Sequence, residues 1–195
     1  MGLGKGRGRF FLKGVKAHVN TFSIRSLSDK AEGTIPVYEG SSKRILNADI
    51  KMNWEDLLEA SGKRDRIQLD FISPARIKYE GHYVLELEFH ILLRSLLRRI
   101  STLSYFHCGG ALDLNFRWLG ERSKAVVTKN RELRWNDWER YSGRQETRMK
   151  MGGFVGSITF AGEMEPFWPF VLLGEVIHVG KGASFGLGRY RIKRP

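Results

Sequence analysis

Cysteine is almost missing from this sequence: Cys108 is the only one in 195 residues. A lone thiol forms no internal disulfide, which excludes a disulfide-stapled secreted scaffold and suits a reducing cytoplasm. Long apolar runs are lacking too, and without a stretch of about 18 apolar residues the sequence offers no membrane-spanning helix; no membrane partner is expected, although the charge alone would also suit an anionic membrane surface. The opening MGLGKGRGRFF is basic but has no apolar stretch behind it, so it does not read as a secretory signal. Histidine is sparse and scattered. His18, His82, His90, His107 and His178 show no zinc-ligand spacing, and no second cysteine completes a set; neither a metal nor a cofactor is expected. The most telling shortage is of acid. Only 21 Asp and Glu face 33 Lys and Arg, a net charge of +12 with a pI near 10.0, so the partners should be polyanions.

Glycine, by contrast, is concentrated at the end of the chain. In GEVIHVGKGASFGLGRYRIKRP, residues 174 to 195, Gly180, Gly182, Gly186 and Gly188 fall within nine positions. The run imitates two nucleotide-binding patterns and fails both. A dinucleotide fingerprint needs a third glycine where Phe185 stands, and a P-loop needs Lys followed by Ser or Thr where the sequence has GKGA.

With 42% hydrophobic residues the chain can bury a core, and its length suits one ordinary domain or two small ones. IQLDF, from Ile67 to Phe71, alternates as a half-buried strand does, up to a break at Ser73-Pro74. RIKYEGHYVLELEF alternates on both sides of Gly81 and predicts a hairpin. Phe89, Leu92, Leu93, Leu96, Ile100 and Leu103 then recur at helical spacing until Gly109-Gly110, with His107 placed to cap. LDLNFRWLGERS predicts a short helical segment, and a strand is expected to start near Leu133. Gly152 to Gly162 reads as the next strand, its glycines permitting close approach of another backbone. Glu165-Pro166 opens a second long helix, the glycine loop follows, and GRYRI is a last strand. Strand, helix, strand, strand, helix, strand is the ferredoxin-like βαββαβ order, an α+β fold. In that topology the glycine loop precedes the last strand, where its backbone N–H groups could face a phosphate, with Lys181 and Arg189 adding charge. From Phe22 to Lys63 the composition is that of a connector, apart from a short helix in NWEDLLEASG, capped by Asn53 and ended by Gly62.

The terminal glycine loop on such a domain resembles the repeat-associated RNA-binding superfamily of CRISPR systems. LLRRISTLSYFH, WNDWERYSGRQETRMKMGGFVGSITF and PFVLLGEVIHVGKGASFGLGRY are, in that order, similar to the sixth Cas family, the endoribonucleases that cut repeat RNA into guide units. The likeness covers roughly residues 65 to 192. It implies a C-terminal RNA-binding domain over residues 63–195. Residues 1–62 would then be a partial or degenerate first ferredoxin-like domain plus connector, because such proteins usually carry two tandem domains. GLGKGRGRFFLKGV, from Gly2 to Val15, looks like the glycine loop that closes such a first domain. In several relatives the catalytic histidine belongs to that first domain, which leaves open a non-cleaving module that retains repeat RNA within a complex of other CRISPR subunits.

RNA carries its own nucleophile, the 2′-hydroxyl, so cleavage needs alignment, proton transfer and charge stabilisation rather than a metal. The resemblance implies a 2′,3′-cyclic phosphate and a 5′-hydroxyl as products. His178, near the C-terminal end of the second long helix, is the candidate proton carrier, the helix dipole favouring its protonated form. Lys181 is the candidate to stabilise the phosphorane. A packed histidine bonded to a carbonyl under the loop is the competing reading. Gly180, Gly182, Gly186, Gly188 and Arg189 are expected to bind RNA, as are Arg140, Tyr141, Arg144 and Gln145 in WERYSGRQ, where arginine forks suit phosphate and tyrosine can stack. Trp135 and Trp138 read as core or interface aromatics. Arg94, Arg98 and Arg99 read either as a solvated helix face or as a surface that follows an RNA backbone. A plain RNA-recognition module is a further alternative, since Lys150, Gly153, Phe154 and Val155 match part of its strand signature, but the two stacking aromatics are absent.

Overall fold

The computed structural model describes residues 2–3, 8–9, 13–19, 33–46, 65–142 and 146–193, and the chain divides into two compact units, Met1–Ala60 and Ser61–Pro195. In the first, β1 (Gly2–Leu3) pairs antiparallel with β2 (Gly8–Arg9). β3 (Gly14–Val19) pairs with β4 (Gly33–Glu39), which also takes β5 (Arg44–Ile45). β4 corrects the connector reading. Its Thr34, Ile35, Val37 and Tyr38 favour a pleated strand, and Pro36 is tolerated beside an irregularity in the register with β3. The helix expected from Asn53 to Gly62 lies outside the described residues.

The second unit follows the ferredoxin-like order. β6 (Arg66–Ala75) leads through a small hairpin, β7 (Lys78–Tyr79) and β8 (His82–Tyr83), into α1 (Phe89–His107). A short α2 (Phe116–Ser123) precedes β9 (Val127–Asn136), and the hairpin of β10 (Glu139–Ser142) and β11 (Thr147–Lys150) precedes β12 (Gly153–Ala161). A 3-10 turn at Glu165–Phe167 opens α3 (Trp168–Ile177); a second at Ala183–Phe185 lies in the glycine loop before β13 (Tyr190–Lys193). The sheet order is β13-β6-β12-β9 with every pair antiparallel.

One face of this sheet holds the core. Leu69, Phe71, Phe154, Ile158, Phe160, Tyr190 and Ile192 point to it, and Phe89, Leu92, Leu93 and Leu96 of α1 with Trp168 and Val171 of α3 cover them. The rings meet edge-on: Phe71 and Phe154 at 4.9 Å between centroids, Phe89 and Phe160 at 5.2 Å. The Tyr190 hydroxyl, wholly buried, donates to the Val171 carbonyl at 2.6 Å, and burial, with Glu175 nearby, raises its pKa well above the usual value. The opposite face is polar. Arg191, Asp70, Ser157 and Glu132 line up across four strands, and Gln68 bonds Asp70 while Ser157 bonds Glu132.

Four local expectations need correction. β6 does not break at Ser73-Pro74; it runs on to Ala75, because the register with β12 shifts there and no ladder N–H is required of the proline. β9 begins at Val127 instead of Leu133. It is an edge strand, paired on one side only, so its polar Lys129, Asn130 and Glu132 face water and blur the alternation. The helix α1 includes His107 and is capped by Cys108, while Val84 to Glu88 form no strand.

Candidate nucleic-acid interface

The glycine loop is folded against the end of β6. Lys181 N–H donates to the Arg76 carbonyl at 2.8 Å, Gly188 N–H to the Pro74 carbonyl at 2.9 Å, and Val179 N–H to the Gly188 carbonyl at 3.0 Å. The Ser73 hydroxyl donates to the Gly186 carbonyl and accepts from Arg189 N–H, clamping the loop's exit. This changes the meaning of the glycines. At Gly188, with φ +70, an added Cβ would overlap the Val179 carbonyl oxygen. At Gly186, with φ +82, it would meet open space. Gly180 and Gly182 abut the Arg76 carbonyl and the Leu187 side chain, so of the four only Gly186 leaves its surroundings clear. The N–H groups of Gly182, Ala183 and Ser184, at the head of the 3-10 turn, have no backbone partner among the described residues.

His178 ends α3 with φ 64 and ψ 172, a region almost confined to glycine. Its side chain is half-buried, and Nδ1 is buried without a hydrogen-bond partner. Desolvation lowers its pKa, a backbone hydrogen bond with Leu187 opposes this, and the charges of Arg189 and Arg99 lower it further. The expected bias toward imidazolium is therefore reversed. The helix-end carbonyl that would have favoured it, at Ile177, instead accepts from the Arg99 guanidinium Nε at 2.6 Å.

Beside the loop lies an open cleft of about 320 Å3, walled by α1, the loop and the start of the β7–β8 hairpin. Arg76, Lys78, Arg94, Arg98, Arg99 and Lys181 line it, and among the described residues no carboxylate does. Salt bridges at Arg122–Glu163, Arg131–Glu86 and Arg148–Glu139 lie elsewhere, and Lys78, Arg94, Arg98 and Lys181 have no carboxylate partner among the described residues. Aromatic rings position several of the cations. The Arg94 guanidinium stands 5.8 Å from the Tyr79 ring centre, and Arg76 lies 4.7 Å over Tyr83 while its Nη2 donates to the Tyr83 hydroxyl. Thus Arg94, Arg98 and Arg99 form a wall of a cleft. Arg76, Lys78 and Tyr79 were missed; the signal available was the alternation around buried Ile77, which turns its two basic neighbours outward.

The second predicted group sits on the β10–β11 hairpin, which projects from the same end of the sheet as the loop, where β6 and β9 end and β12 and β13 begin. Tyr141 is exposed there. Arg140 belongs to β10, and Arg144 and Gln145 lie outside the described residues. Trp135 and Trp138 are exposed within the unit and are not core. Trp135 approaches Tyr83 at 6.4 Å between ring centres, which links the hairpin's base to the cleft through Tyr83 and Arg76. Phe154, by contrast, is fully buried beneath the helices, and Gln68, Asp70, Ser157 and Glu132 occupy the open face, so the sheet offers no stacking platform.

Fold and cleft together define a ferredoxin-like domain with a cationic groove against its terminal glycine loop. The chain belongs to the CRISPR-associated endoribonuclease Cas6 family, whose model matches residues 69–190. Among solved structures, Thermus thermophilus Cas6 (TTHB231) is similar at 18% identity over 73% of this chain and 58% of that one, with a TM-score of 0.58. A Cas6 (TTHB231) product complex gives 19% identity over 73% and 56%, TM-score 0.57. A partial Cas6-RT-Cas1–Cas2 complex gives 17% over 79% and 29%, TM-score 0.53. The chain thus spans 58% of the Thermus protein's length. No curated protein matches it. No helix among the described residues is long and apolar enough to cross a membrane.

Proposed function

We propose that this chain binds CRISPR repeat RNA along the cationic cleft and cuts it, in the cytoplasm and without a metal, by attack of the 2′-hydroxyl on the adjacent phosphorus. The observation that carries the reading is a cleft of six Arg and Lys side chains without a carboxylate, set beside the glycine loop of a Cas6-family domain. The free N–H groups of Gly182, Ala183 and Ser184, with Lys181, meet a phosphate, and Arg189 adds to the field. Arg140, Tyr141, Arg144 and Gln145 hold RNA at the hairpin. His178, kept neutral by burial and by its two arginine neighbours, takes the proton from the 2′-oxygen. Lys181 stabilises the phosphorane, the bond to the 5′-oxygen breaks, and that oxygen takes a proton from solvent water, leaving a 2′,3′-cyclic phosphate and a 5′-hydroxyl. Residues 1–62 are read as a partial or degenerate first ferredoxin-like domain with its connector.

The unpartnered, buried Nδ1 of His178 and its ring's bond to Leu187 favour a second reading, in which the ring only supports the loop and the chain retains RNA without cutting it, beside other CRISPR subunits. End-labelled repeat RNA incubated in EDTA separates the two. Cleavage at one site, blocked by a 2′-deoxy substitution there and lost in His178→Ala, is the expected result. Tight binding without cleavage would establish the second reading, and cleavage that survives in His178→Ala would remove this histidine from the chemistry.

A further inference from the structure

A second cavity of about 320 Å3 adjoins the basic cleft and has a different character. Ser101, Thr102, Tyr105, Phe106, Leu112 and Phe116 line it, with Ala111. Its walls are built rather than frayed. The Ser104 hydroxyl donates to the Gly110 carbonyl at 2.7 Å, folding the chain back after α1, and Asn115 caps α2 by accepting from Trp118 N–H at 2.9 Å. Yet the rings stay in water: Tyr105 is 63% exposed, Phe106 72% and Phe116 42%. Tyr105 and Phe106 stand perpendicular with centroids 5.1 Å apart, presenting faces in two directions.

Thr102 lines both cavities. Arg94, Arg98, Thr102 and Tyr105 follow one another at spacings of four, four and three, one stripe of α1 that passes from cations to rings over roughly 16 Å at 1.5 Å per residue. Size argues against a protein partner. At ~200 Å2 for each aromatic side chain, the exposed fractions of these three leave about 350 Å2 of apolar surface, under half of the ~800 Å2 per partner that a stable protein contact buries. A base has the right dimensions, and among the described residues no carboxylate lines either cavity to repel its phosphate.

We infer that unpaired nucleotides flanking the RNA held in the cleft continue along α1 and stack on Tyr105, Phe106 and Phe116. The inference rests on the proposed RNA-binding role of the cleft and adds to it the substrate's shape: a strand with an unpaired flank whose bases are read by stacking, without regard to their identity. The probe is a mixed-sequence single-stranded RNA with 2-aminopurine at successive positions, compared with the same RNA carrying abasic sites. Tyr105→Ala/Phe106→Ala should weaken binding about 10-fold or more, abolish quenching at the flank positions, leave the salt dependence unchanged, and have no effect on the RNA that is abasic in the flank. Tyr105→Leu/Phe106→Leu, which keeps the apolar contact but not the ring faces, should bind as weakly. Wild-type affinity in these variants, with binding lost in Arg94→Gln/Arg98→Gln, would overturn the stacking site and leave the cleft reading intact. Undiminished binding in all of them would overturn both. A change in sedimentation with RNA affinity intact would assign the patch to contact between copies of the chain and overturn the inference. Should the ring variants fold poorly, the intact-against-abasic comparison on the wild-type chain decides the matter, equal affinities counting against stacking.

Discussion

Removing two of the cleft's unpaired cations, Arg94→Gln/Arg98→Gln, changes how RNA binding responds to salt by an amount the structure sets. Lys78, Arg94, Arg98 and Lys181 line one cleft without a carboxylate partner among the described residues. Each phosphate they neutralise releases counterion and contributes about −0.7 to the slope of log K against log salt for a single strand. Four such contacts give a slope of about −2.8, and the double variant about −1.4. A fourfold rise in salt should therefore weaken wild-type binding about 50-fold and the variant only about 7-fold, so their affinities converge as salt increases. Fluorescence anisotropy with a single-stranded RNA over a salt series measures both slopes. Because both side chains are exposed on α1, the substitution should leave the denaturation midpoint nearly unchanged, which is read in the same preparation. A variant slope equal to that of the wild type would refute the reasoning, whatever happened to affinity at one salt concentration, because these arginines would then touch no phosphate.

The loop and His178 give two further tests. Gly186→Ala should cost about 1 kcal/mol, the penalty of a left-handed backbone alone, while Gly188→Ala, whose Cβ would overlap the Val179 carbonyl, should cost about 3 kcal/mol or more; equal urea midpoints would show that the loop does not close as described. His178 has a folded-state pKa below its unfolded value. The unfolded chain therefore takes up a proton first as pH falls below about 6.5, and the fold loses stability from there downward, with no such loss above it. Urea titrations from about pH 7 to about pH 5 should show the wild type losing stability more steeply than His178→Gln, and parallel curves would mean that the ring titrates as it does in water.

What the sequence made legible was whatever faced the core of the second unit. The alternation at Ile67, Leu69 and Phe71 and the helical spacing of Leu92, Leu96 and Ile100 report burial on one face, and burial is what periodicity records. An edge strand such as β9 is wet on most of its length, so its pattern starts late. β4 looked like a connector because its glycine and proline outweighed a short β-branched run. Glycines were visible as a loop, but what an added side chain would strike depends on how the loop folds back: Val179, nine positions before Gly188, and Arg76, more than a hundred before Gly180. In the same way Arg94 and Arg98 could be placed on one helical stripe from spacing alone, whereas the cleft they wall needs Arg76, Lys78 and Lys181 from separate elements. The protonation of His178 was inferred from a helix end, and it failed because burial of the ring, then the charges of Arg189 and of Arg99, seventy-nine residues upstream, disfavour the imidazolium.

β6 is also a ruler. The strand that buries Leu69 and Phe71 carries, a few residues on, the three points that fix the glycine loop: the Ser73 hydroxyl and the carbonyls of Pro74 and Arg76. The loop's shape is therefore set during folding, and a ligand that meets it spends little on ordering it. Its position also tracks any shift of that strand. A repacking beneath Phe71 would move the loop, so that, on the proposed reading, the seat of a phosphate and the packing of the core would shift together.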